Sequence, residues 1–221
     1  MSLLRNIGLG ITTGLAALTL ALTPVMANAQ TRYLYDDFNS GELNTEKWNE
    51  EVATNTGGGM LDEHFVEEGA YHAAQLTPAD RGTGLCVTPH MFVPGESVEY
   101  DINYLGGEGN RSHLLMLNGN AYRVCLFGWW NGVQGNDELG THQVKVNFHE
   151  GGIDMEITRP SGIIDAWFDG ELAAPEYYFG MAVRTGHNGT VHMDIDDVYL
   201  TTFEGSPVES SSWSSIKALY R

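Results

Sequence analysis

Between Gln30 and Glu204 no stretch is long and regular enough to read as an amphipathic helix. Short runs alternate apolar and polar residues with period two, the periodicity of a half-buried strand. Gly, Asn and Asp punctuate the runs, and the chain holds 27 glycines. Strands are predicted over 33–38, 64–66, 70–75, 84–88, 97–105, 113–117, 121–128, 143–149, 153–158, 163–168, 177–184 and 191–202. Hairpin loops such as Asn118-Gly119-Asn120 and Glu150-Gly151-Gly152 join neighbours. Strands spaced in this way predict an all-β fold, a two-sheet antiparallel sandwich with no internal repeat and no second domain.

The two ends read differently. Residues 1–29 carry one charge, Arg5, then an apolar stretch over 7–22 and the small-residue pattern Ala27-Asn28-Ala29. That is the composition of a secretory signal peptide, so the product is expected to be exported, extracellular or periplasmic, with no membrane span. Residues 30–204 form the expected domain, and 205–221 a linker and short C-terminal helix. In that helix Ser210–Ser212 would cap a face of Trp213, Ile216, Leu219 and Tyr220. At this length such a helix needs a surface to dock on.

The formal charge is −18, and only three residues are lysine. A field of that sign repels phosphate backbones and anionic lipid, which excludes nucleic acid as a partner. The two cysteines, Cys86 and Cys125, would sit in an oxidising compartment, where a disulfide between them is expected. Closing that loop would contribute about 3–4 kcal/mol.

Within this frame Ser97–Gly106 stands out, because its alternation is strict. Val98, Tyr100, Ile102 and Tyr104 share one face; Glu99, Asp101 and Asn103 share the other. Acids in a row are poor residues for an ordinary strand surface. They point to a ligand-facing surface or to a well-solvated edge.

Several segments resemble one superfamily. Tyr35-Asp36-Asp37-Phe38-Asn39-Ser40-Gly41-Glu42-Leu43-Asn44 leads to Trp48, followed by Val66-Glu67-Glu68-Gly69-Ala70-Tyr71-His72. Later come Phe168-Asp169-Gly170 and Ile195-Asp196-Asp197-Val198-Tyr199-Leu200. Together they resemble the concanavalin A-like lectins and glucanases, which implies a jelly-roll sandwich whose hollow sheet often holds a sugar chain. Glu99-Tyr100-Asp101-Ile102-Asn103 is similar to the Glu-x-Asp-x-Glu strand of family 16 glucanases. The resemblance makes Glu99 the match to the nucleophile and Asp101 the match to the assisting acid. Asn103 stands where the family has its general acid/base, and an amide cannot deliver a proton to a leaving sugar oxygen. Loss of that group removes about 10²–10⁴ in rate, so the expectation leans away from an enzyme.

Other residues complete the candidate set. Trp129 could stack a sugar ring, with Arg123 beside it and His113 projecting toward the same groove. Trp48 and Trp167 read as packing residues. The resemblance also implies a structural calcium, mapped onto Asp197 and Gly69, an oxygen-ligand set of the kind that ion takes. The eight histidines show no zinc-ligand spacing, so no zinc site is expected. The functional expectation is a lectin-like module that binds extracellular poly- or oligosaccharide. The rivals are a glucanase using Glu99 and a structural or adhesive module.

Overall fold

The computed structural model describes residues 29–53, 57–87, 90–117 and 137–203, together with the backbone of 120–122, 129–130 and 133–134. Residues 1–28 and 204–221, where a signal peptide and a C-terminal helix are expected, lie outside the described residues, as do Arg123 and Cys125.

Two antiparallel sheets form a sandwich. In chain order the strands are β1 (Gln30–Asp36), β2 (Trp48–Val52), β3 (Glu63–Glu67), β4 (Ala70–Gln75), β5 (Gly82–Val87) and β6 (Ser97–Glu108). Then come β7 (Arg111–Leu117), β8 (Asn120–Tyr122), β9 (Trp129–Trp130), β10 (Val133–Gln134) and β11 (Gly140–His149). The last are β12 (Gly152–Thr158), β13 (Ile164–Asp169), β14 (Phe179–Thr185) and β15 (Thr190–Phe203). The larger sheet runs β13-β12-β11-β6-β15-β4-β3, with β1 also paired to β15. The smaller runs β2-β5-β14-β7-β8, and β9 and β10 form a separate ribbon.

β15, at 14 residues, organises the larger sheet. On one side its first half pairs with β4 and its second half with β1; β6 runs along the other side. Its register with β6 shifts between Asp196 and Tyr199, and Asp197 there has φ 49°. An extra residue in one strand produces this kind of bulge and turns its side chain in a new direction. Asp tolerates the left-handed backbone better than most residues.

The core lies between the sheets. Tyr100, Ile102, Val146, Phe148, Ile195 and Leu200 from the larger sheet meet Trp48, Leu85, Leu115, Phe179 and Met181 from the smaller. Fully burying a large apolar side chain contributes about 1.5–3 kcal/mol. Trp48 is core, as expected, and its indole N–H donates to Asp36 Oδ2 at 2.7 Å. Trp167 is not: it lies on edge strand β13 and is 44% exposed, because the larger sheet extends past the smaller there.

The expected Cys86–Cys125 bridge is not shown: Cys86 is buried on the outward face of β5, with Sγ 3.8 Å from Glu51 Oε1, and Cys125 lies outside the described residues. β2 is a strand the sequence pattern missed. Its Trp-Asn-Glu-Glu-Val run does not alternate, since Glu50 turns inward to Tyr71 OH and His64, and Glu51 turns outward.

Candidate functional site on the larger sheet

The alternation of β6 is real: Val98, Tyr100, Ile102 and Tyr104 are buried, while Glu99, Asp101 and Asn103 are half-buried on the outward face. The neighbouring strands extend that face in rows. One row carries Tyr199, Glu99, Lys145 and Glu156; the next carries Asp196, Asp101, Gln143 and Thr158. A third runs from Thr141 through Asn103 and Asp194 to His72 and Phe65. The first two rows apart from Asp196, together with Arg32 and Asp197, line a depression of about 420 Å³.

Glu99 is clamped. Its Oε2 accepts from Arg32 at 3.1 Å (Nε) and 3.0 Å (Nη2), and its Oε1 lies 3.1 Å from Lys145 Nζ. The Arg32 guanidinium also sits 3.8 Å above the Tyr199 ring. Burial alone would raise the Glu99 pKa, but hydrogen bonds and charges from Lys145 and Arg32 outweigh it and the value is lowered. Asp101 moves the other way. Burial raises its pKa first, and the nearby Asp197 and Asp196 carboxylates raise it further, against a hydrogen bond from Gln143. Asp196 is raised by burial and by Asp197, Asp37 and Asp194.

A second cluster lies on the same face where β3, β4 and β15 meet. His72 Nδ1 is 2.9 Å from Asp194 Oδ1, and His72 Nε2 is 3.5 Å from Glu63 Oε2. The His192 ring meets the His72 ring edge-on at 4.7 Å between centroids. Sequence reasoning searched for histidines at fixed spacings and missed it, because three strands bring these residues together. The legible signal was only His192-x-Asp194, an i, i+2 pair on one strand face.

Of the remaining sequence candidates, Asp197 lines the depression, His113 does not, and Arg123 lies outside the described residues. His113 is fully buried between the sheets, its Nε2 2.7 Å from Tyr100 OH, and burial depresses its pKa to about 3. It faces the opposite way from Glu99 and is a core histidine. Trp129 lies on β9, whose backbone approaches β7 of the smaller sheet rather than β6. Glu156 does line the depression. Asp154, on the same strand, instead pairs with His149 at 2.7 Å. Gly69, at φ 82°, packs against Asn39 and Asp37, and a Cβ there would come within 2.8 Å of Asn39 Oδ1. Asp197 looks onto Asp101 and Asp196 instead.

The architecture is that of the concanavalin A-like jelly rolls, the fold shared by many lectins and glucanases. Comparison by sequence finds no matching family model and no matching curated protein. Among solved structures, an endo-beta-1,3-glucanase from Pyrococcus furiosus superposes with a TM-score of 0.52 at 14% identity, covering 76% of this chain and 92% of that one. LamA from Z. galactanivorans, solved as a variant in complex with laminaritriose and laminaritetraose, gives 0.49 at 11% identity, over 78% and 98%. Lectin UEA-II complexed with galactose gives 0.48 at 8% identity, over 79% and 98%. At 14% identity the Pyrococcus furiosus match carries the fold and no more.

Proposed function

We propose that this protein is exported and binds carbohydrate in the depression on the outward face of the larger sheet, without cleaving it. The observation that carries this reading is the state of Glu99. A glycosidase nucleophile must aim an oxygen lone pair at the sugar carbon. Both Glu99 oxygens are instead engaged by Arg32 and Lys145. Fixed ion pairs of this kind offer what a sugar hydroxyl recognises, donors and acceptors held in set directions. Asp101, Gln143, Asp197 and Lys145 supply them around the depression. The glucanase that shares the fold is named for a β-1,3-glucan, so β-1,3-glucan oligomers are the first ligands to try.

The glucanase reading is kept as the second because Glu99 and Asp101 have pKa values pushed apart, the arrangement that separates a nucleophile from an acid. Structural calcium is part of the proposal as well. Asp197 and Asp196 would hold it, with the Asp37–Asn39–Gly69 turn adjoining, since Asp37 and Asp196 feel each other's charge. Carboxylate, amide and carbonyl oxygens are the ligands that ion takes.

Affinity electrophoresis through gels containing β-1,3-glucan, other glucans and galactans tests the reading, with reducing-sugar release measured in parallel. Retardation by at least one polymer and no released sugar are expected. Gln143→Ala should weaken binding about 10-fold, the loss of one good polar contact. No retardation by any polymer sinks carbohydrate binding, and sugar release abolished by Glu99→Gln establishes the enzyme instead.

A further inference from the structure

We infer that His72, His192 and Asp194 form a binding site for a borderline divalent transition metal, zinc(II) being the ion the ligand set fits best. One imidazole nitrogen from each histidine and one Asp194 oxygen all lie within 4.8 Å of one another, and all three residues are half-buried. Three ligands around a tetrahedral zinc ion at about 2.0–2.2 Å would stand somewhat more than 3 Å apart. The His72 Nδ1 to Asp194 separation of 2.9 Å is a few tenths of an ångström short of that, so a small spreading of the pair admits the ion. Only His192 has to turn toward the pair, by rotation of a side chain packed edge-on against His72.

Two features separate this cluster from an ordinary surface ion pair. The first is the second histidine. A single imidazole is enough to pair with Asp194 and Glu63, whereas the second ring, edge-on against the first, brings another nitrogen ligand within reach of the same point. The second is Glu63. His72 points Nδ1 at Asp194 and Nε2 at Glu63, 3.5 Å away. Metal-bound histidines almost always give their other nitrogen to a carboxylate or carbonyl, which fixes the ring and raises its basicity. Glu63 is therefore a positioning residue, and Phe65 packs at 4.8 Å on the His72 ring to hold its plane.

Two imidazoles and one carboxylate suit zinc, copper, nickel or iron over calcium, which prefers oxygen alone. Three protein ligands leave a fourth position open toward solvent, for water or a polar group of a partner. The ion would tie β4 to β15, joining an outer strand of the larger sheet to its centre. This site is separate from the sugar-binding depression and does not depend on that reading.

The test is equilibrium dialysis of the full chain, without an affinity tag, against zinc(II) alone, with cobalt(II) absorbance as a second readout. One zinc per chain is expected, together with a cobalt spectrum of the tetrahedral nitrogen–oxygen kind. His192→Ala and Asp194→Asn should each weaken binding by at least about 100-fold, and Glu63→Gln by about 10-fold. His149→Ala, an exposed histidine paired elsewhere, should change nothing. Circular dichroism confirms that each variant is folded, and His192→Ala carries little risk because its ring is half-exposed. Failure to bind zinc stoichiometrically overturns the site. So does undiminished binding in folded His192→Ala, and the cluster is then a cross-strand ion-pair network.

Discussion

The two outward faces of this sandwich have opposite chemistry. On the larger sheet the face is charged and wet, with Arg32, Glu99 and Lys145 in one linked network and acids beside it. On the smaller sheet Cys86, Leu114, Met116, Tyr178 and Ala182 also point away from the core, yet all are buried, in an apolar cluster of their own. Gly84 makes room for it: a Cβ there would come within 2.3 Å of Met116 Sδ. One sheet thus presents a surface that can exchange water for sugar hydroxyls. The other is closed on both sides and contributes stability.

The contrast predicts how each face responds to mutation. Leu114→Ala on the smaller sheet should cost about 2–5 kcal/mol, because it opens a cavity in a closed layer. Denaturant unfolding monitored by tryptophan fluorescence measures it; a loss below about 1 kcal/mol would mean that the face is open after all. On the larger sheet, Glu156→Gln should stay within about 0.5 kcal/mol, as for other surface substitutions.

Glu99→Gln is intermediate. It leaves Arg32 and Lys145 without their shared counter-charge, and partly exposed pairs of this kind are each worth about 0.2–1 kcal/mol. The pH dependence identifies the cause. A carboxyl whose folded pKa is lowered stabilises the fold above its unfolded value, and that contribution is lost as pH falls through the folded value. The wild type should therefore lose part of its margin over Glu99→Gln in the acid range below the ordinary glutamate value of 4.5. A margin that is flat with pH would assign the effect to packing.

The same contrast explains what could be read from the sequence. Strict alternation in β6 made one face legible, because that face is half in water while its reverse is core. β7 and β14 carry no such signal, since every residue in each is buried, and both faces of the smaller sheet are covered. The number of sheets and most strands followed from pattern and resemblance. Cross-strand facts did not. That Glu99 meets Arg32 from β1 by way of Tyr199, and that His72 meets Asp194 across 122 positions, depends on register. Register is fixed by tertiary packing and by the bulge at Asp197. His113 misled for a related reason: in a strand buried along its whole length a histidine turns into the core and bonds a buried hydroxyl, here Tyr100.

A further small effect is also the most specific to the wet face. Asp101 is crowded by Asp196 and Asp197, and its pKa is raised, first by burial and then by those neighbours. A raised carboxyl binds its proton more tightly folded than unfolded, so stability declines as pH rises from the unfolded value through the folded one. Above that window the Asp101 carboxylate is less favourable in the fold than in the unfolded chain. Asp101→Asn should therefore stabilise the protein at pH 7 by less than about 1 kcal/mol, a rise in Tm of at most about 2–4 °C. The gain should vanish once acid protonates Asp101 in the wild type. Sugar binding should fall in the same variant if the Asp101 carboxylate accepts a hydroxyl. Higher stability with weaker binding is the signature of a surface held under electrostatic strain for a ligand. Higher stability with unchanged binding would remove Asp101 from the depression's contacts and leave Gln143 and Lys145 to carry them.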